Sequence, residues 1–184
     1  RLNAALDRLV SDDFIQGRGL GNEIAFYIFD YPASEEPYVR DRFESMVAEV
    51  RKRKPELRVA HLNLLRIVVD LLGKRGLLDK TIELQRKRGD AETLRVLSAP
   101  LRADRIAAAI ADAAPPEDHD LLLLTGVGSA YPLVRSHGLL NNLHTALGST
   151  PLVMFYPGTY SGQHLSLFDM LNDDNYYRAF RLVP

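Results

Sequence analysis

The run Leu121-Leu122-Leu123-Leu124 constrains this chain more than any other feature, because all four positions in a row are aliphatic. Successive side chains of a strand point to opposite faces. A strand apolar at every position therefore needs cover on both sides, the condition of a parallel sheet between helices. The runs 25–32 (AFYIFDYP), 57–63 (LRVAHLN) and 151–156 (PLVMFY) have the same character, and 176–182 (YYRAFRL) is read as a fifth strand. Between the strands the spacing turns helical. Val39, Phe43, Met46, Val47 and Val50 make one apolar stripe, preceded by Glu35, Glu36 and Pro37, residues that suit a helix start. Leu2, Leu6, Leu9 and Val10 predict a first helix, and further helices are expected over 64–72, over 129–147 with irregularity around Pro132 and Gly138, and over 165–171.

The alternation predicts an α/β fold: a mostly parallel sheet of about five strands with helices on both faces, a P-loop- or Rossmann-like three-layer sandwich. Helical stretches at 77–88 and 91–113, broken by Gly89 and Pro100, read as a helical insert over 77–113 within a single α/β domain spanning 1–184. That length suffices for one substantial core. With no cysteine, disulfides, thiolate catalysis and Cys-type zinc sites are excluded. A net charge of −1 gives no global attraction to nucleic acid or anionic membrane. No apolar run approaches the roughly 20 residues of a membrane span.

Ligands of open parallel sheets bind beyond the carboxyl ends of the strands. Those ends carry Asp30, Asn63, Gly126-Val127-Gly128 and Tyr156-Pro157-Gly158. A P-loop needs G-x-x-x-x-G-K-S/T, with a lysine to neutralise phosphate. Gly158 and Gly162 are separated by three residues rather than four, and Gln163-His164 stand where lysine and a hydroxyl belong. Gly126 and Gly128 supply two glycines of a dinucleotide fingerprint, with Tyr131 in the third position. Asp30, Gly126, Gly128, Gly158 and Gly162 are thus weak candidates for a nucleotide or phosphate site, and tight turns account for the glycines equally well.

Other chemistries fit worse. Ser161 does not sit in G-x-S-x-G, and the five histidines show no H-E-x-x-H spacing. Asp173-Asp174-Asn175 reads as a turn rather than a calcium loop. Gln85-Arg86-Lys87 has nuclease letters on a solvated helix. Arg51-Lys52-Arg53-Lys54 suits a helix C-terminus, and DNA binding through it is a minor alternative. No metal or cofactor is expected. The chain's end is rich in tyrosine and arginine, types that dominate protein–protein contacts. Tyr156, Tyr160, Tyr176, Tyr177, Arg178 and Arg181 are therefore the candidate partner-binding residues.

Four blocks extend the reading: GRGLGNEI-x-FYIFDYP (17–32), HDLLLLTGVGS-x-YP-x-x-RSH-x-LLNNL (119–143), PLV-x-FYPG-x-Y-x-GQ-x-L-x-LF (151–168) and DDNYYRAFRL (173–182). Together they resemble the BrxB family of bacteriophage-exclusion (BREX) defence systems, in matching order along almost the whole chain. The resemblance implies a cytoplasmic anti-phage component acting beside the phosphatase-like PglZ, the methyltransferase PglX and the ATPase BrxC. It carries over no catalytic residue. The family often places Asp before the Gly-Gln pair and Ser after it. Here Ser161 and His164 occupy those places, which weakens a catalytic Ser–His pair further. The expected function is a non-catalytic accessory or assembly subunit that works by protein–protein interaction, PglZ foremost. A divergent nucleotide or phosphate binder (an ATPase) and a DNA-binding subunit are the alternatives.

Overall fold

The computed structural model describes residues 1–15, 25–173 and 179–184. Two helices, α1 (Leu2–Leu9) and α2 (Asp12–Ile15), precede strand β1 (Phe26–Tyr31). There follow α3 (Glu36–Arg53), β2 (Val59–Asn63), α4 (Leu64–Lys74), α5 (Leu78–Leu97), α6 (Ala103–Ala113) and β3 (Leu121–Thr125). Two helices, α7 (Val127–Ala130) and α8 (Ser136–Leu147), lead to β4 (Leu152–Tyr160), β5 (Leu165–Leu167), β6 (Leu171–Asp173) and β7 (Phe180–Arg181).

The strands pair in the order β2-β3-β4-β1-β7, and every pair along that path is parallel. The expected parallel sheet is therefore present. β5 and β6 add an antiparallel ribbon on the end of β4. Strand alternation divides the core in two. Phe26, Ile28, Leu122, Leu124, Leu152 and Met154 face a cluster with residues of α4, α6 and α8. Phe29, Leu121, Leu123, Val153 and Phe155 face α1 and the stripe of α3. Leu121 to Leu124 are each at most 1% exposed, which is why no polar residue interrupts them. Burying each such side chain contributes roughly 1.5–3 kcal/mol.

Two elements depart from the sequence reading, and a third shows the irregularity expected around Pro132. The helix expected over 165–171 is instead β5, a turn and the start of β6. Leu165 and Leu167 alternate with Ser166 at the strand period, and Phe168 and Asp169 turn the chain with φ of 57° and 58°. β4 extends to Tyr160, so FYPGTY, read as strand end and loop, is continuous strand. The helix expected over 129–147 is split into α7 and α8 around Pro132, which has no N–H to continue the ladder. Gly89, at φ 78° and ψ −179°, kinks α5 where a break is expected. Of the proposed fifth strand, Phe180–Arg181 pairs with β1, while Tyr176, Tyr177 and Arg178 lie outside the described residues, as does the glycine-rich 17–22.

Candidate functional site

At the carboxyl end of β1 the chain buries a carboxylate: Asp30 is 5% exposed. An isolated charge there is costly unless it is paired and hydrogen-bonded. Arg1 donates from Nη2 to Asp30 Oδ1 at 2.7 Å, and the Tyr160 amide donates to Oδ2 at 3.0 Å. Arg181 Nη2 lies 3.5 Å from the same Oδ2 and also donates to the Tyr160 carbonyl. Both oxygens are occupied by the chain's own donors. Asp30 thus acts as a clasp joining β1, β4, β7 and Arg1, not as an open ligand for a cation.

The candidate glycines have equally local reasons. Gly126 has φ 72°, and a Cβ there would come within 2.6 Å of the Asn63 side chain. Asn63 in turn accepts the Arg66 amide at 3.1 Å and caps α4. A Cβ on Gly128 would lie 2.8 Å from the Phe168 ring and 2.9 Å from Pro157. A Cβ on Gly158 would lie 2.1 Å from the Ser166 carbonyl oxygen, across the β4–β5 pair. The turn after β3 therefore packs closely against Pro157 of β4 and the Phe168 ring, which is why Gly128 carries no side chain. A Cβ on Gly162, at φ 94°, would meet nothing within 4 Å, so the positive φ of the turn between β4 and β5 is what favours glycine there. In that turn the Ser161 hydroxyl accepts the His164 amide at 2.9 Å, so the pair is joined through backbone, not through the imidazole.

The candidate partner residues divide. Tyr156 is 2% exposed and Tyr160 fully buried, both in the core, so for these two the partner-binding candidacy gives way to the other reading, aromatics packed within the chain's own sheet. Tyr160 Oη lies 2.7 Å from the Ala179 carbonyl and 2.9 Å from that of Gly162, polar partners that let a phenol be buried. The Arg181 side chain is 39% exposed, the one described candidate that reaches solvent. The basic run is largely consumed internally. Arg53 pairs with Glu49 and Asp7, Lys54 with Asp12, and Arg51 donates to the Val59 carbonyl. Gln85 bonds Asp90 on α5, away from any strand end.

One arrangement was not legible in the sequence. A cleft of about 590 Å³ opens at the ends of β1, β2 and β3 between α3 and α4. On its wall His61 places Nε2 2.8 Å from Thr125 Oγ1 and Nδ1 3.3 Å from Glu44 Oε1. That connectivity matches an acid–imidazole–hydroxyl relay. However, Glu44 is 81% exposed, and Thr125 Oγ1 also lies 3.4 Å from the Leu62 carbonyl, which can take its proton. Burial lowers the His61 pKa, Glu44 opposing and Arg51 assisting, and the ring packs on Phe43 at 4.3 Å. Nearby, burial and the hydrogen bond to Glu36 raise the Tyr31 phenol. The only sequence signal was that His61 and Thr125 fall near the ends of two strands. Among the described residues no cluster of His, Asp and Glu could hold a metal ion. No helix among them is long and apolar enough to cross a membrane.

Comparison with known proteins gives one family. A family model for BrxB, described as BREX protein BrxB, matches residues 60–182. A BREX protein BrxB from Escherichia coli O9:H4 (strain HS) is 42% identical over 184 residues, covering 100% of this chain and 90% of the relative. Another from Bacillus cereus (strain H3081.97) is 41% identical over 187 residues, covering 100% of this chain and 96% of the relative. No solved structure matches the chain.

Proposed function

This chain belongs to the BrxB family of BREX proteins, and from that membership we propose that it is a non-catalytic accessory subunit of a BREX system. It acts by holding other components together, with PglZ as its first partner and BrxC and PglX as further ones, in the cytoplasm and in defence against phage. The observation that carries this reading is the engaged carboxylate at the end of β1. Both oxygens of Asp30 are held by the chain's own donors, and the Phe168 ring stands against Gly128, so these two ligand positions serve the fold, while the cleft beside Gly126 and Ser129 stays open. A phosphate binder would need open amides there and a cation to offset the charge.

Co-expression of this chain with PglZ, followed by size-exclusion chromatography, tests the proposal. The expected result is a complex that persists at micromolar concentration. Separate elution, with and without BrxC and PglX, would remove the assembly role.

A further inference from the structure

A groove of about 1020 Å³ lies on the α4–α8 side of the sheet. Its walls are the end of α5, the start of α6, the segment from Tyr131 to Ser136, and the β5–β6 ribbon. The floor is apolar, with Leu97, Leu101, Val134 and Leu167 buried in the core and Tyr156 reachable only at the bottom. At the rim Met170 is 81% exposed and Leu171 38% exposed, an unusual outlay of apolar side chains on a surface.

The charge around this floor has one sign. Among the described residues Arg102 and Arg135 are the charged ones that line it. Each arginine is also the residue preceding a helix, α6 and α8 respectively, and neither side chain caps its helix. Helix starts carry partial positive charge and favour acids, so an arginine there adds charge of the unfavourable sign. At α6 the cost is offset locally, because Asp104 pairs with Arg102 at 3.1 Å. The first turn of α8 has no acid, and Arg135 forms no ion pair among the described residues. The groove thus combines an apolar floor with an arginine, Arg135, that has no ion-pair partner among the described residues.

We infer that this groove receives an acidic amphipathic helix from a partner protein. Its apolar face packs onto Leu101, Val134 and Met170, and its carboxylates lie at Arg135 and the start of α8. The inference rests on the assembly role above and names the surface through which it works. The groove lies at the upper end of the about 300–1,000 Å³ usual for small ligands, and a helix laid in a groove presents an apolar row with flanking charges, matching an apolar floor with arginine at its edge. Met170 suits such a site, since an unbranched thioether adapts to the surface it meets.

The test uses two probes and the full chain. One is a labelled peptide of about five helical turns with leucines on one face and glutamates on the other; the second carries lysines in place of the glutamates. Fluorescence anisotropy should show the acidic peptide binding at least about tenfold more tightly than the basic one, and more weakly as salt rises. Arg135→Glu and, separately, Met170→Asp should each weaken the acidic peptide by about tenfold with unchanged circular dichroism. Arg135→Glu should also narrow the gap between the two peptides. Equal binding of both peptides, or indifference to both substitutions, overturns the inference. The same variants are then tried against PglZ. If PglZ binds wild type and variants alike, the groove is not the docking surface, although the assembly role stands. If PglZ binds none of them, the assembly role fails, and the peptide result still decides the groove.

Discussion

Single side chains separate the architectural reading of the rim from a catalytic one. Gly158 and Gly128 both exclude a Cβ, but for different reasons. At Gly158 the obstacle is the Ser166 carbonyl in a paired strand, with φ at 149°, and backbone there cannot yield. At Gly128 the obstacles are the Phe168 ring and Pro157, side chains with some room to shift. Gly158→Ala is therefore expected to cost about 3 kcal/mol or more, and Gly128→Ala about 1–3 kcal/mol. Urea midpoints decide, and an equal or smaller cost at Gly158 contradicts the packing described. His61 sets a pH dependence. Its pKa in the folded state is below the ordinary value, so the unfolded chain binds more protons as pH falls. Its contribution is complete above about pH 6.5 and is lost as pH drops through the lowered folded value. Denaturation profiles over about pH 5 to 7.5 should be shallower for His61→Gln than for wild type. Identical slopes would show that His61 is not held neutral by its surroundings.

At the scale of elements, periodicity was informative where burial was complete and misleading where it was not. β3 was legible because Leu121 to Leu124 face two cores at once, and α3 because Val39, Phe43, Met46, Val47 and Val50 keep one stripe. The β5–β6 ribbon was not legible. Its turn uses Phe168 and Asp169 at positive φ, where glycine or asparagine would have signalled a hairpin. The geometry is held by tertiary contacts instead: the ring against Gly128 and Thr159 Oγ1 donating to Asp169 Oδ1 at 2.5 Å. The clasp at Asp30 was half legible. The aspartate at a strand end could be named, but its partners Arg1 and Arg181 lie at opposite ends of the chain. Core and ribbon should differ sharply on truncation. Leu123→Ala is expected to cost about 2–5 kcal/mol, and Met170→Ala, at the ribbon's exposed tip, within about 0.5 kcal/mol. Thermal melting of the two variants checks this, and a large loss at Met170 would mean its side chain is packed.

For the molecule as a whole, a mostly parallel sheet lies between two apolar layers, with Asp30 engaged by the chain's own donors and a cleft of about 590 Å³ open beside Gly126 and Ser129. Titration of the protein with ATP and magnesium in a calorimeter should give no micromolar binding, and Asp30→Ala should leave that result unchanged. A micromolar constant would replace assembly by nucleotide binding as the working function. Asp30→Ala should instead lower stability by about 1–3 kcal/mol, by leaving the Tyr160 amide without its acceptor and Arg1 and Arg181 without a counter-charge. The same denaturation assay measures that loss.

β4 is at once a central strand, hydrogen-bonded to β1 and β3, and the first strand of the ribbon that borders the groove. A force applied to the ribbon by a bound protein therefore passes along one covalent backbone into the middle of the sheet. It need not cross any yielding layer of side chains on the way.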